Sequence, residues 1–84
     1  MPLIAKFEGV TIKMYLRKSE HNPPHVHAIY GDCVGMFSLE KGEMLEGDIP
    51  MKQQRMIKDF IIYYQEQLYE MWNTQKFERL SPIV

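Results

Sequence analysis

Cysteine is nearly absent from this sequence, since Cys33 is the only one in 84 residues. A single thiol excludes an intramolecular disulfide and a cysteine-rich zinc cluster, and it is typical of a reducing compartment. No run of apolar residues approaches the length of a membrane span, and the N-terminus lacks the charged start and cleavage site of a signal peptide. These absences predict a cytoplasmic protein without a membrane segment.

An excess of charge of one sign is also missing. Ten Lys and Arg residues stand against eleven Asp and Glu residues, a formal net charge of −1. No overall field therefore favours nucleic acid or membranes, and any anion site must be local. The sequence also lacks a phosphate-binding glycine loop, a dinucleotide fingerprint and a Ser-His-Asp set. Whether the protein is an enzyme stays open at this point.

What is present is the composition of one globular domain, with 45% hydrophobic and 25% charged residues. Apolar residues alternate over residues 3–39 and recur at spacings of three and four over residues 51–77, which is typical of strands followed by a helix. We predict an α+β fold with a four-stranded antiparallel meander in residues 1–46. A long C-terminal amphipathic helix over residues 48–78 would back one face of the sheet, followed by a tail over residues 79–84.

Two dipeptides, Glu8-Gly9 and Gly31-Asp32, are suited to two-residue hairpin turns. Cross-strand neighbours share a side of the sheet, so these turns determine which residues face the core. The predicted core set from the two hairpins is Leu3, Ala5, Phe7, Val10, Ile12, Met14, Leu16, Val26, Ala28, Tyr30, Cys33, Gly35, Phe37 and Leu39. Later turns leave room for a short fifth strand around Met44 and Leu45.

The helix is predicted to begin near Asp48, Ile49 and Pro50 and to stop before Pro82. Its apolar stripe is Met56, Ile57, Phe60, Ile61, Tyr64, Leu68, Met71 and Trp72. One helix covers only one face of a small sheet, so the other face should be open to water or to another molecule. That face should carry Lys6, Thr11, Lys13, Tyr15, Arg17, His25, His27, Ile29, Val34, Met36 and Ser38.

All three histidines fall within seven residues, His21-Asn22-Pro23-Pro24-His25-Val26-His27. His25 and His27 are two apart, so an extended strand points both imidazoles to one side. His21 precedes a stiff double proline, which could return its ring to the same place. The three form the candidate functional site.

The stretch Glu20-His21-Asn22-Pro23-Pro24-His25-Val26-His27 resembles the signature of a family of short prokaryotic proteins of unknown function. The opening Met-Pro-Leu-Ile, a strand ending in Leu39-Glu40 and a late helix with Trp72 extend the resemblance over nearly the whole chain. Members of that family are often encoded beside a second small protein in a toxin–antitoxin-like arrangement. The resemblance implies a protein partner and assigns no catalytic residue.

Three interpretations of these residues stand beside one another. His25 and His27, with His21 as a third ligand, could bind zinc or another divalent metal, or the segment could simply be a rigid polar loop. The imidazoles could instead act as acid and base in a phosphodiesterase or ribonuclease, with Lys6, Lys13 and Arg17 holding the phosphates and Tyr15 stacking on a base.

The third interpretation is a binding module. Ile62, Tyr63 and Tyr69 lie outside the apolar stripe of the helix, as residues covered by a partner often do. The partner would be another small protein or a second copy in a homodimer. We predict an intracellular binding or regulatory protein of a toxin–antitoxin-like module, with the phosphodiesterase as the alternative.

Overall fold

The fold is one antiparallel sheet followed by two helices, in a computed structural model that describes residues 3–15 and 23–81. The strands are β1 (Leu3–Phe7), β2 (Val10–Lys13), β3 (His25–Tyr30), β4 (Cys33–Ser38) and β5 (Met44–Gly47), and the helices are α1 (Met51–Tyr63) and α2 (Gln65–Thr74). The strands lie in chain order, each antiparallel to the next. This confirms the α+β class. Neither of these helices has the length and apolar character needed to cross a membrane.

Both predicted hairpin turns are confirmed. Glu8 and Gly9 have φ angles of 47° and 79°, and Gly31 has a φ of 59°, a conformation that glycine adopts without a steric cost. Beside the turns, Phe7 pairs with Val10, and Tyr30 pairs with Cys33. β5 is the fifth strand for which the sequence left room.

A β-bulge in β1 changes which residue of its first half is buried. The register shifts between Leu3 and Ala5, so Ile4 and Ala5 are both fully buried, while Leu3 pairs with Lys13. The prediction that Leu3 faces the core is therefore wrong. An extra residue in one strand of a pair reverses the alternation of faces beyond it.

The core lies between the sheet and the helices. It includes predicted residues from both hairpins and the helical stripe, joined by Ile4, Ile49 and Leu80. The fully buried members are Ile4, Ala5, Ile12, Met14, Val26, Ala28, Phe37, Leu39, Ile57, Phe60, Ile61 and Leu68. Leu16, which was assigned to this core, lies outside the described residues.

The prediction of one long helix is wrong, because the helix is interrupted at Tyr64. This residue has φ −103° and ψ 23°, and its N–H donates to the carbonyls of both Phe60 and Ile62. Tertiary bonds hold the residues of the break. The Tyr64 hydroxyl donates to the carbonyl of Ser81 at 2.8 Å, and the Gln65 side-chain amide donates to the carbonyls of Leu39 and Glu40, each at 2.8 Å.

The second helix also ends earlier than residue 78. Gln75 adopts a left-handed conformation with φ 59°, and its N–H donates to the carbonyl of Met71 at 2.8 Å, which terminates α2 at Thr74. The chain then returns to the sheet, where the Leu80 N–H donates to the Ile4 carbonyl at 2.7 Å. Pro82, the predicted stop, lies outside the described residues.

The start of α1 agrees with the predicted position near Asp48, Ile49 and Pro50. Pro50 is the N-cap, without a side-chain cap bond. The Asp48 carboxylate instead accepts a hydrogen bond from the Val34 N–H at 3.0 Å, and the Asp48 N–H donates to the Val34 carbonyl at 3.0 Å. Asp48 thus ties the end of β5 to β4.

Candidate functional site

The face of the sheet turned away from the core carries two rows of paired side chains. One row runs across all five strands and contains Leu3, Lys13, His27, Met36 and Glu46; the other contains Lys6, Thr11, Ile29 and Val34. We call these nine residues the open face. Val34 is 57% exposed, and His27, Ile29 and Met36 are half-buried.

His25 lies at one end of this face, where β3 begins opposite Ser38. Its Nδ1 is 2.8 Å from the carbonyl oxygen of Pro23. A carbonyl can only accept, so Nδ1 carries the proton and Nε2 carries the lone pair of the neutral ring. The strand entry is held in turn by the Leu39 N–H, which donates to the Pro24 carbonyl at 3.0 Å.

Trp72, near the end of α2, covers the His25 ring. The two ring centroids are 5.1 Å apart, and His25 is only 8% exposed. The prediction that both imidazoles project into the open, away from the tryptophan-bearing helix, is therefore wrong for His25. Strand alternation directs this ring to the same side as His27, but Trp72 of α2 packs against it.

His27 remains half-buried and lies in the middle of a row of aromatic rings. It stacks on Tyr15 with centroids 4.3 Å apart and ring planes 11° apart, and its centroid is 5.1 Å from that of His25 in an edge-to-face arrangement. Tyr15, His27, His25 and Trp72 therefore form a continuous chain of contacts, which we call the ring row. The row connects the open face to α2.

The surroundings of His27 favour its neutral form. Burial lowers the pKa of His27 below the ordinary value of 6.5, and the positive charge that His25 can carry lowers that pKa further. At neutral pH the imidazole therefore holds a lone pair, which can accept a proton or coordinate a metal ion.

The predicted anion-binding residues are brought together in part. Lys6 and Lys13 lie on the open face, in neighbouring rows, and Tyr15 stacks beside them on His27. Arg17 and His21 lie outside the described residues, so their predicted roles stay predictions. Over residues 3–15 and 23–81, no three His, Cys, Asp or Glu side chains converge as a metal-ligand set.

The predicted partner residues on the helix divide into two groups. Ile62 is 46% exposed and Tyr63 is 66% exposed, as the sequence pattern indicated. Tyr69 is partly buried and packs against the core, so its assignment to an outward surface is wrong. The sequence pattern placed Tyr69 by assuming one continuous helix. The interruption at Tyr64 changes which residues of α2 lie on the same side as those of α1.

Two parts of the site were not predicted as such. The Pro23 carbonyl fixes the tautomer of His25, and Trp72 walls off the His25 ring. The double proline Pro23-Pro24 was the sequence signal for the bond to the Pro23 carbonyl, because it predicted a stiff entry to β3. No local signal pointed to the second, since Trp72 simply continued the apolar stripe of the helix.

Comparison with known proteins gives a family and no activity. The model of the DUF4160 family, a domain of unknown function, matches residues 9–73. Neither the curated proteins nor the solved structures yield a significant match. The matched segment spans most of the sheet and both helices, with the His25 and His27 pair inside it. The chain therefore belongs to the DUF4160 family of domains of unknown function.

Proposed function

We propose that this protein is a small intracellular binding module that associates with a second small protein through the open face of its sheet. In the context implied by the sequence resemblance, the pair would form a toxin–antitoxin-like module. The free thiol of Cys33 is in keeping with an intracellular location. The surface of the open face supports an association with a partner independently of that context.

The observation that carries the proposal is the apolar centre of the open face. Ile29 pairs with Val34, and Met36 pairs with His27, so these side chains are neighbours on one surface. Val34, at the end of its row, is 57% exposed. Contiguous exposed apolar surface on a small protein is typical of an interaction site.

Charge surrounds this apolar centre in a polarised way. Lys6 and Lys13 lie on β1 and β2, at one side of the face, and Glu46 lies on β5, at the other. A polar rim around an apolar centre is the ordinary anatomy of a protein interface. A partner would complement the face with acidic groups opposite the two lysines and a basic group opposite Glu46.

The same polarity allows a second copy of the chain to bind. Rotation of one copy by 180° about an axis parallel to the strands would place the Lys13 side of each face over the Glu46 side of the other. Such an arrangement is self-complementary, as a twofold dimer requires. A homodimer is therefore the main competitor of the second protein for this surface.

The test compares two lysine substitutions at exposed apolar positions. Val34→Lys puts a charge in the centre of the open face, whereas Ile62→Lys makes the same change on α1, where the residue is 46% exposed. We expect Val34→Lys to weaken binding to the protein encoded beside this one by at least about tenfold, which corresponds to about 1.4 kcal/mol. Ile62→Lys should bind nearly as the wild type does, in calorimetric titrations.

The opposite ranking would assign the interface to the helix surface of Ile62 and Tyr63. Light scattering of the protein alone separates the two occupants of the open face. If the protein is a dimer at micromolar concentration and Val34→Lys converts it to a monomer, the open face binds a second copy of the chain and not a second protein. Equal binding by wild type and both variants would refute a role for either surface.

A phosphodiesterase acting on RNA is the second candidate, and the setting of His27 favours it. The lowered pKa keeps this imidazole able to accept a proton, Lys13 is its cross-strand neighbour, and Tyr15 stacks against it. Cleavage of a fluorescent RNA by the wild type, abolished in both His27→Gln and Lys13→Gln, would support this function. Cleavage that survives both changes would come from a contaminant and exclude it.

A further inference from the structure

We propose that His25 and His27 form a two-imidazole site for a divalent transition metal ion, and that Cu²⁺ is the ion held most tightly. This site does not depend on the proposed protein partner, and it can be tested on the protein alone. Water, or a group from outside the chain, would fill the remaining coordination positions.

The first support is the placement of the two rings. His25 and His27 project from alternate positions of β3 to one side of the sheet, and their centroids are 5.1 Å apart. One ion can therefore lie within reach of a nitrogen from each ring. The stack on Tyr15 and the contact with Trp72 hold the two rings from opposite sides, so little side-chain freedom is lost on binding.

The second support is the hydrogen bond from His25 to the Pro23 carbonyl. Metal-binding histidines commonly donate their other ring N–H to a backbone carbonyl, which fixes the tautomer and orients the coordinating nitrogen. In His25 the 2.8 Å contact uses Nδ1, so Nε2 is the atom available for a metal. The orientation is present before an ion arrives.

The chemistry of the surroundings favours copper over zinc. A site with two nitrogen ligands follows the general order of affinities, in which Cu²⁺ exceeds both Ni²⁺ and Zn²⁺. No third His, Cys, Asp or Glu joins the pair among the residues that the structure describes, so the tetrahedral site of a structural zinc is not assembled there.

Trp72 provides a direct readout of the site. It is the only tryptophan in the chain, and its ring centroid is 5.1 Å from that of His25. Cu²⁺ bound to His25 would therefore quench nearly all of the tryptophan emission. Titration with CuCl₂ should give quenching that saturates at one ion per chain.

Three substitutions make the experiment specific. His27→Gln removes one ligand from a half-buried position, and the dissociation constant should rise at least about tenfold, since changes even to outer-shell partners of a metal cost about 10- to 100-fold. Lys13→Gln is the matched control, because it changes the cross-strand neighbour of His27 without removing a nitrogen ligand, and its affinity should equal or exceed that of the wild type. His21→Gln tests the remaining histidine.

Electron paramagnetic resonance of the copper complex gives the second measurement. The wild type should show coupling to two nitrogen donors, and His27→Gln should show one. Quenching that fails to saturate, an unchanged dissociation constant in His27→Gln, or a loss of binding confined to His21→Gln would each overturn the proposal. Circular dichroism of each variant verifies that the fold is retained.

Discussion

Truncation of His25 to alanine should destabilise the protein far more than truncation of His27, although the residues are two apart on one strand. His25 is 8% exposed, and its ring contacts Trp72. Removal of a buried ring of this size costs about 2–3 kcal/mol through lost contacts and the cavity left behind. Loss of the hydrogen bond to Pro23 adds only about 0.5–1 kcal/mol, because Pro23 is exposed and water can reach its carbonyl.

The expected total is therefore about 3 kcal/mol, a large share of the stability of a domain of this size. Urea unfolding followed by far-ultraviolet circular dichroism measures it, since that signal does not depend on the environment of Trp72. With a slope of about 1 kcal/mol per M, the midpoint for His25→Ala should fall by about 3 M.

His27→Ala supplies the comparison. Its ring is half-buried and rests on Tyr15, so the loss in the free energy of unfolding should be about 1 kcal/mol. Equal midpoints for His25→Ala and His27→Ala would refute the reasoning, because they would mean that the contact with Trp72 does not make His25 part of the core.

Two further predictions concern the sheet. On acidification, the wild type should lose stability relative to His27→Gln, because folding lowers the pKa of His27 and the unfolded chain binds the proton more readily. The loss should begin as the pH falls through 6.5 and level off below the folded-state pKa. Urea titrations of both proteins at several pH values measure it. Gly47→Ala should lower the free energy of unfolding by more than about 3 kcal/mol, because the new Cβ would collide with the Cα of Gly35 and the carbonyl oxygen of Val34. Gly31 also has a positive φ, but a Cβ there would meet nothing within 4 Å, so Gly31→Ala should cost only about 1–2 kcal/mol. Similar thermal stabilities for the two alanine variants would contradict that argument.

The parts of the fold that the sequence predicts correctly are those set by local chemistry. Gly9 and Gly31 supply the positive φ of two tight turns, and each turn brings its flanking strands into register. The apolar stripe of the helices likewise follows from spacing alone. Neither feature requires knowledge of what lies elsewhere in the chain.

The features that the sequence does not predict depend on distant contacts. The helix breaks at Tyr64 without a proline or glycine, and the residues of the break bond to Ser81 and to the carbonyls of Leu39 and Glu40. The bulge that turns Leu3 to the open face has no composition signal of its own. In both places the tertiary structure decides between backbone geometries that are close in local free energy.

The candidate site shows the same division. Alternation along β3 correctly places His25 and His27 on one side of the sheet, because a strand has a period of two. It does not predict their unequal exposure, which depends on the position of Trp72 after the break between the helices. Trp72, which helical spacing assigns to the ordinary core, therefore forms one side of the candidate site.

The unequal burial also separates the roles that the two histidines can have. His25 is fixed by the Pro23 carbonyl and the Trp72 ring, so a change there alters the fold together with any function. His27 is held mainly by the rings beside it and is part of the open face, so a ligand or partner can act on it without unfolding the strand. Substitutions of His27 therefore report on function, whereas substitutions of His25 report first on stability. Loss of binding in His27→Gln with an unchanged urea midpoint would be direct evidence that the open face acts through this residue.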